Sequence, residues 1–226
     1  KRLVFEELMA HHLSLRQLRL AIKERAAKKI PTDFELSTAF LKSLAFQLTK
    51  AQQRVIEETL QDMALGNPML RLVQGDVGCG KTAVAALTAL AVISAGGQVA
   101  LMAPTELLAE QHAASFKAYF EPLSIDVVYL IGKQSVGERK MNLQRIASGA
   151  AMVIGTHALM QEHVQYQNLV LVIVDEQHRF GVHQRLCLRD KGESGDYSPH
   201  QLILTATPIP RTLAMSAYAD LDVSII

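Results

Sequence analysis

The run Gly75-Asp76-Val77-Gly78-Cys79-Gly80-Lys81-Thr82 sits between an apolar strand-like stretch, Leu70 to Gln74, and Ala83 to Ala95, a series of strong helix formers. A G-x-x-x-x-G-K-[ST] octapeptide in that setting restricts the local fold to strand, glycine-rich turn and helix. The glycines let backbone N–H groups converge on anionic oxygens, and the helix N-terminus adds positive potential. Lys81 suits the terminal phosphates of a bound nucleotide, and the Thr82 hydroxyl suits a Mg²⁺ ion held by those phosphates. Asp76, Val77 and Cys79 fill the remaining positions of the same cradle. The bland alternative, a glycine-rich turn with no ligand, leaves the register of Lys81 and Thr82 unexplained.

The segments around this loop predict the architecture. Short apolar runs at Leu70 to Gln74, Gln98 to Met102, Asp126 to Ile131, Ala151 to Ile154, Leu169 to Val174, Gln201 to Thr205 and Asp222 to Ile226 alternate with helix-length stretches. Most of these runs are uniformly apolar. Strands apolar on both faces belong to a parallel sheet covered by helices on both sides, so the expected fold is α/β and doubly wound. With 226 residues, 49% hydrophobic and 20% charged, the chain can bury a core of that kind, and disordered or low-complexity classes are excluded.

Residues 1 to 45 have a different texture. Apolar positions from Lys1 to about Lys29 largely follow a three-to-four spacing that predicts one or two helices, and Ile30-Pro31-Thr32-Asp33 supplies a break. A further helix, capped by Thr32 or Asp33, is expected to run to about Leu44. The net charge of +1 conceals an offset: residues 1 to 50 hold 10 Lys and Arg against 5 Asp and Glu, and the remainder holds 13 against 17. Scattered basic residues more commonly make a solvated helix face than a polyanion site. The absence of Met at position 1 and the apolar ending Val223 to Ile226 read as those of a fragment. No window approaches the roughly 18 apolar residues of a membrane span, and no signal peptide is evident. Cys79 and Cys187 form no metal or disulfide framework, which fits a reducing, cytoplasmic setting.

A second chemical motif closes the strand from Leu169 to Val174, which ends in Asp175-Glu176-Gln177-His178. An acid at such a strand end can hold Mg²⁺, and an adjacent carboxylate can orient and deprotonate the attacking water. Adjacent residues leaving a strand diverge, so Asp175 can serve the metal and Glu176 the water.

Together the phosphate loop and the DEQH box resemble the superfamily 2 helicases, and other segments match that pattern in order. Phe46-Gln47-Leu48-Thr49-Lys50-Ala51-Gln52 resembles the Q motif, in which Gln52 would read adenine through N6 and N7. Pro104, Thr105 and Glu106 open a stretch resembling motif Ia, and Thr156 and His157 lie in one resembling motif Ib; both motifs imply contacts with the nucleic-acid backbone. Thr205-Ala206-Thr207-Pro208 resembles motif III, which couples the nucleotide site to the strand, with Gln177 and His178 on the same path. The segments PTELLAEQH, DEQHRFGVHQR and TATPIPRTLAMSAYADLD are most similar to the RecG family of branched-DNA helicases. Cys79 departs from the Ser usual there, a small change that should preserve the cradle.

This resemblance implies a RecA-like motor domain over residues 46–226, incomplete at its C-terminal end. Residues 1–45 would form a helical linker from a wedge region that lies elsewhere. It further implies ATP and Mg²⁺ as cofactors, Lys81 and Glu176 as catalytic residues, and branched duplex DNA as partner, at stalled forks and Holliday junctions in recombination and repair. Arg179 and Phe180, after the box, would sense DNA, with a buried, structural Phe180 as the alternative. The second RecA-like domain, with its arginine finger, lies outside this sequence, so the 226 residues alone are expected to be nearly inactive.

Two other readings stand beside it. The duplex translocase of a transcription-repair coupling factor has similar segments but typically Glu at the position of Gln177. An ATP-gated, non-motor DNA-binding module would keep the nucleotide site without the motor. His183 and Cys187 have a metal-ligand spacing but no second pair to complete a zinc site, and Arg211 could meet DNA or cap a helix.

Overall fold

The computed structural model describes residues 25–32, 35–176, 191–192, 197–207 and 221–226, together with Met9 and Leu13. Seven strands form one parallel sheet: β1 (Leu70–Gln74), β2 (Gln98–Met102), β3 (Val127–Leu130), β4 (Met152–Gly155), β5 (Leu169–Asp175), β6 (His200–Thr205) and β7 (Asp222–Ile225). Their order is β3-β4-β2-β5-β6-β1-β7. All seven expected strands are present, with ends displaced by a residue at most. Helices among the described residues include α1 (Glu35–Ser43), α2 (Lys50–Ala64), α3 (Lys81–Ser94), α4 (Glu106–Phe120) and α5 (Val136–Ala147), with short 3-10 turns at Glu121–Leu123 and His157–Met160.

The uniformly apolar strands are explained by cover on both faces. In β2, Val99 and Leu101 point into a core shared with α1 to α4, whereas Ala100 and Met102 point into a second core with Ile146 of α5 and with Ala158 and Leu159. The same two-residue alternation divides β5, where Leu171 and Ile173 face the first core and Val172 and Val174 the second. Helix α3 follows no amphipathic pattern because it is enclosed nearly all round: every residue from Ala83 to Val92 is buried. Helix starts are secured locally. Thr49 and Gln52 form a reciprocal capping box on α2, and Ser135 and Glu138 do the same on α5.

The lead-in departs from its sequence pattern. The helical spacing extends to Lys29, and Met9 and Leu13 are helical, but residues 27–31 lie in no helix and Ala26 forms a parallel bridge to Tyr197. Another element supplies the hydrogen bonds a helix would have made: Ala27 N–H donates to Gly66 O and Ile30 N–H to Met63 O, both at the end of α2. Ile30 is thereby buried at 1% exposure, and Phe40 of α1 is fully buried against Tyr119, their ring centroids 5.5 Å apart. Most of the residues before 25 lie outside the described set, as does a cap at Asp33.

His200 staples this lead-in to the sheet. Its Nδ1 accepts from Met69 N–H at 3.0 Å, and its Nε2 donates to Lys28 O at 2.8 Å, which fixes the tautomer. Arg71 of β1, 8% exposed, meets Asp62 and Glu58 of α2 and Ser224 of β7, so its charge is both paired and hydrogen-bonded. A cavity of about 720 Å³ opens near the N-terminal end of β5. There Lys28 and Lys191 donate to the Ala95 and Val164 carbonyls.

Candidate nucleotide site

Three adjacent strands, β5, β6 and β1, bring the chemistry-bearing residues to one edge. Gln74 pairs with Thr205 and Asp175 with Leu204, so the three strand ends are level. In parallel α/β sheets, ligands bind outside these carboxyl ends. Two backbone bonds continue the ladders into the loops: Gly75 N–H donates to Thr205 O at 3.2 Å, and Glu176 N–H donates to Leu204 O at 2.9 Å.

The loop from Gly75 to Thr82 takes a shape that other residues resist. Gly78 and Gly80 have φ of +83° and +88°, and a Cβ at Gly80 would collide with the Gln52 amide. Gly80 starts α3 without any side-chain cap. The N–H groups of Gly80, Lys81 and Thr82 have no acceptor among the described residues. That leaves a row of donors at a helix N-terminus, suited to phosphate oxygens. Lys81 folds back on the loop, its Nζ 2.6 Å from Gly75 O and 2.9 Å from Asp76 O. Asp76 and Val77 are exposed, and the half-buried Cys79 places Sγ 3.9 Å from Lys81 Nζ.

Beside the loop lies a cleft of about 400 Å³ lined by Phe46, Gln52, Thr82, Ser115 and Tyr119. Gln52 lines it but is largely committed to the protein. Its Oε1 accepts from Thr49 N–H and its Nε2 donates to Cys79 O, both at 2.8 Å. In this conformation Gln52 ties the start of α2 to the glycine-rich loop, and one N–H and one lone pair of its amide remain.

The two carboxylates diverge as expected for consecutive residues. Asp175 Oδ2 lies 2.7 Å from His112 Nε2 on α4. Glu176 has φ of +51°, a left-handed conformation that costs a non-glycine residue roughly 1–2 kcal/mol, and its Oε1 accepts from Ala206 N–H at 3.0 Å. Thr205 and Thr207 share a hydroxyl–hydroxyl bond of 2.8 Å, and Thr207 N–H donates to Thr205 Oγ1. Of the residues expected to couple the motifs, Ala206 is therefore in direct contact with the expected base.

The candidate DNA contacts divide by exposure. Thr105 is exposed and caps α4 by accepting from Leu108 N–H at 3.3 Å; Pro104 and Glu106 are half-buried, the latter 3.9 Å from Lys133. Thr156, by contrast, is 2% exposed, and its hydroxyl has no partner among the described residues. Its side chain is enclosed in this conformation, whereas its neighbour His157 is exposed. Gln177, His178, Arg179, Phe180, His183, Cys187 and Arg211 lie outside the described residues.

The family model for DEAD/DEAH box helicases matches residues 49–216, from the capping box of α2 to beyond β6. The chain belongs to that family. It is 57% identical over 227 residues to the ATP-dependent DNA helicase RecG of Haemophilus influenzae and 58% identical to that of Escherichia coli O157:H7. Each match covers all of this chain and 33% of the relative, so the chain spans about a third of the length of these proteins. A solved structure of RecG bound to a three-way DNA junction is 41% identical, covers 99% of this chain and 30% of that one, and superposes with a TM-score of 0.85.

For a helicase of this family the site's donors also suit Mg²⁺. Among the described residues no cluster of three His, Cys, Asp or Glu side chains could hold a metal alone. Magnesium does not need one: it keeps several waters and takes one or two protein ligands beside nucleotide phosphates. Asp175, with one oxygen held by His112, and Thr82, whose hydroxyl has no partner among the described residues, fit that requirement. Sequence reasoning did not single out His112, Ser115 and Tyr119. A signal for His112 existed, because it lies three residues after the buried Ala109 and four before the buried Phe116, on the inward stripe of α4.

Proposed function

We propose that these residues are the first motor domain of an ATP-dependent helicase that remodels branched DNA. The observation that carries the reading is the contact set at the strand ends: the phosphate loop bonded to Thr205 and the carboxylate of Glu176 bonded to Ala206. A nucleotide-binding scaffold needs the first contact but has no use for the second.

ATP is the substrate, with its phosphates on the free N–H groups of Gly80, Lys81 and Thr82. Lys81 exchanges its loop carbonyls for phosphate oxygens. Thr82 and Asp175 hold Mg²⁺, which when bound neutralises charge developing on the phosphates. Glu176 orients and deprotonates the attacking water. Its bond to Ala206 makes its position depend on the segment Thr205 to Thr207, so a movement there moves the base. Gln177, His178, Arg179 and Phe180 extend this coupling towards DNA, with Thr105 and His157 exposed to its backbone. The DNA reading is supported by the RecG complex with a three-way junction, and contact through phosphates implies binding that weakens with salt. Repair and recombination in the cytoplasm are the setting, and the wedge and second motor domain belong to the same polypeptide.

The test is junction remodelling by the full-length protein. With ATP it should convert a synthetic three-way junction to product, and Lys81→Ala should abolish both conversion and nucleotide binding. Conversion that persists without ATP or in Lys81→Ala would refute the motor reading.

A further inference from the structure

Neither the motif pattern nor the contact between Glu176 and Ala206 accounts for His112. It sits two turns into α4, 12% exposed at its side chain, and reaches across to an Asp175 carboxylate that is 11% exposed. Asp175 makes no other side-chain bond among the described residues, and of these His112 is the one that fixes its orientation. A carboxylate only accepts, so Nε2 carries the hydrogen and donates to Oδ2. The oxygen left over is Oδ1. Helix α4 is itself held firmly: Thr105 caps its start, and Ala109, Ala113, Phe116 and Phe120 are buried along one face. A ring mounted on that helix therefore gives the carboxylate a fixed external reference, whereas the end of β5 alone would leave its terminal torsion free to rotate.

We propose that His112 is a positioning residue for the Mg²⁺ site, holding Asp175 so that Oδ1 is presented to the metal and its waters. The assignment rests on the nucleotide reading given above. It also makes the helix that begins at the exposed Thr105 part of the metal site, so that a displacement of α4 alters how Asp175 is presented. Partners of this kind behind a metal ligand typically change metal affinity or activity 10–100-fold when removed.

The experiment is equilibrium binding of a fluorescent ATP analogue to the full-length protein across a Mg²⁺ titration and, separately, in EDTA. It compares His112→Ala, His112→Gln and His112→Asn with the unsubstituted protein. Glutamine places an amide N–H near the position of Nε2, whereas asparagine is too short to reach Asp175. The expected result is a Mg²⁺ half-saturation raised about tenfold or more in the Ala and Asn variants and largely restored in Gln, with binding in EDTA the same in all four. Unchanged Mg²⁺ half-saturation in the Ala and Asn variants would overturn the proposal. So would binding in EDTA that falls in parallel, which marks a merely structural role. No Mg²⁺-dependent binding by the unsubstituted protein would instead remove the nucleotide reading beneath it.

Discussion

Glu176 combines two features that a structural carboxylate rarely shows together: a left-handed backbone and a side chain docked on a neighbouring motif. Strain at a site is tolerated where surrounding contacts over-determine it, and here the ladder bond to Leu204 and the bond from Ala206 do so. Glu176→Gln keeps an oxygen to accept from Ala206 but removes the proposed base. Steady-state turnover by the full-length protein should fall by about 10²-fold or more, with ATP binding retained. Gly80→Ala acts differently, since its Cβ would press on the Gln52 amide at a φ of +88°. A loss of about 1–2 kcal/mol is expected in denaturant titrations, together with weaker nucleotide binding. Cys79 lies inside the loop near Lys81, so saturating Mg-ATP should slow its alkylation, read by peptide mapping to separate it from Cys187. Equal labelling with and without nucleotide would place the phosphates elsewhere.

Among the elements, the strands were the most legible. Burial on both faces writes itself as continuous apolar runs, and the seven runs emerged within a residue of their predicted ends. Only the last residues of the stretch ending at Lys29, from 25 onward, were misread, because spacing alone cannot reveal that α2 supplies their hydrogen bonds. The phosphate loop and the DEQH acids were legible since their chemistry dictates residue type and spacing. The partnership of His112 with Asp175 was not, because the two lie 63 positions apart and only the fold brings them together. Two predictions belong to this scale. Phe40→Ala should destabilise the chain by about 3–5 kcal/mol in denaturant titrations, since α1 is built into the main core. His200 adds a pH dependence: burial holds its pKa below the ordinary value of 6.5. Its neutral form is the one the fold accepts, so its contribution is complete above pH 6.5. As pH falls below that, the unfolded chain takes up a proton that the folded chain refuses, and stability drops until the folded pKa is reached. Melting temperature should therefore fall between about pH 7 and pH 5.5, and less steeply in His200→Gln.

For the molecule as a whole, one edge of a parallel sheet gathers the phosphate loop, the acids of β5 and the coupling segment after β6. In the proposed reading, the described residues form the nucleotide half of a motor site. An arginine finger supplied by another domain accelerates such sites by about 10³–10⁵-fold. The 226-residue chain alone should accordingly hydrolyse ATP about 10³-fold or more slowly than the DNA-bound full-length protein, as measured by phosphate release. The most direct test of the motor claim is ATP turnover by the full-length protein with and without a synthetic replication fork, alongside Glu176→Gln. Fork-stimulated turnover that disappears in Glu176→Gln is the predicted result; ATP binding with no turnover on the fork would contradict it.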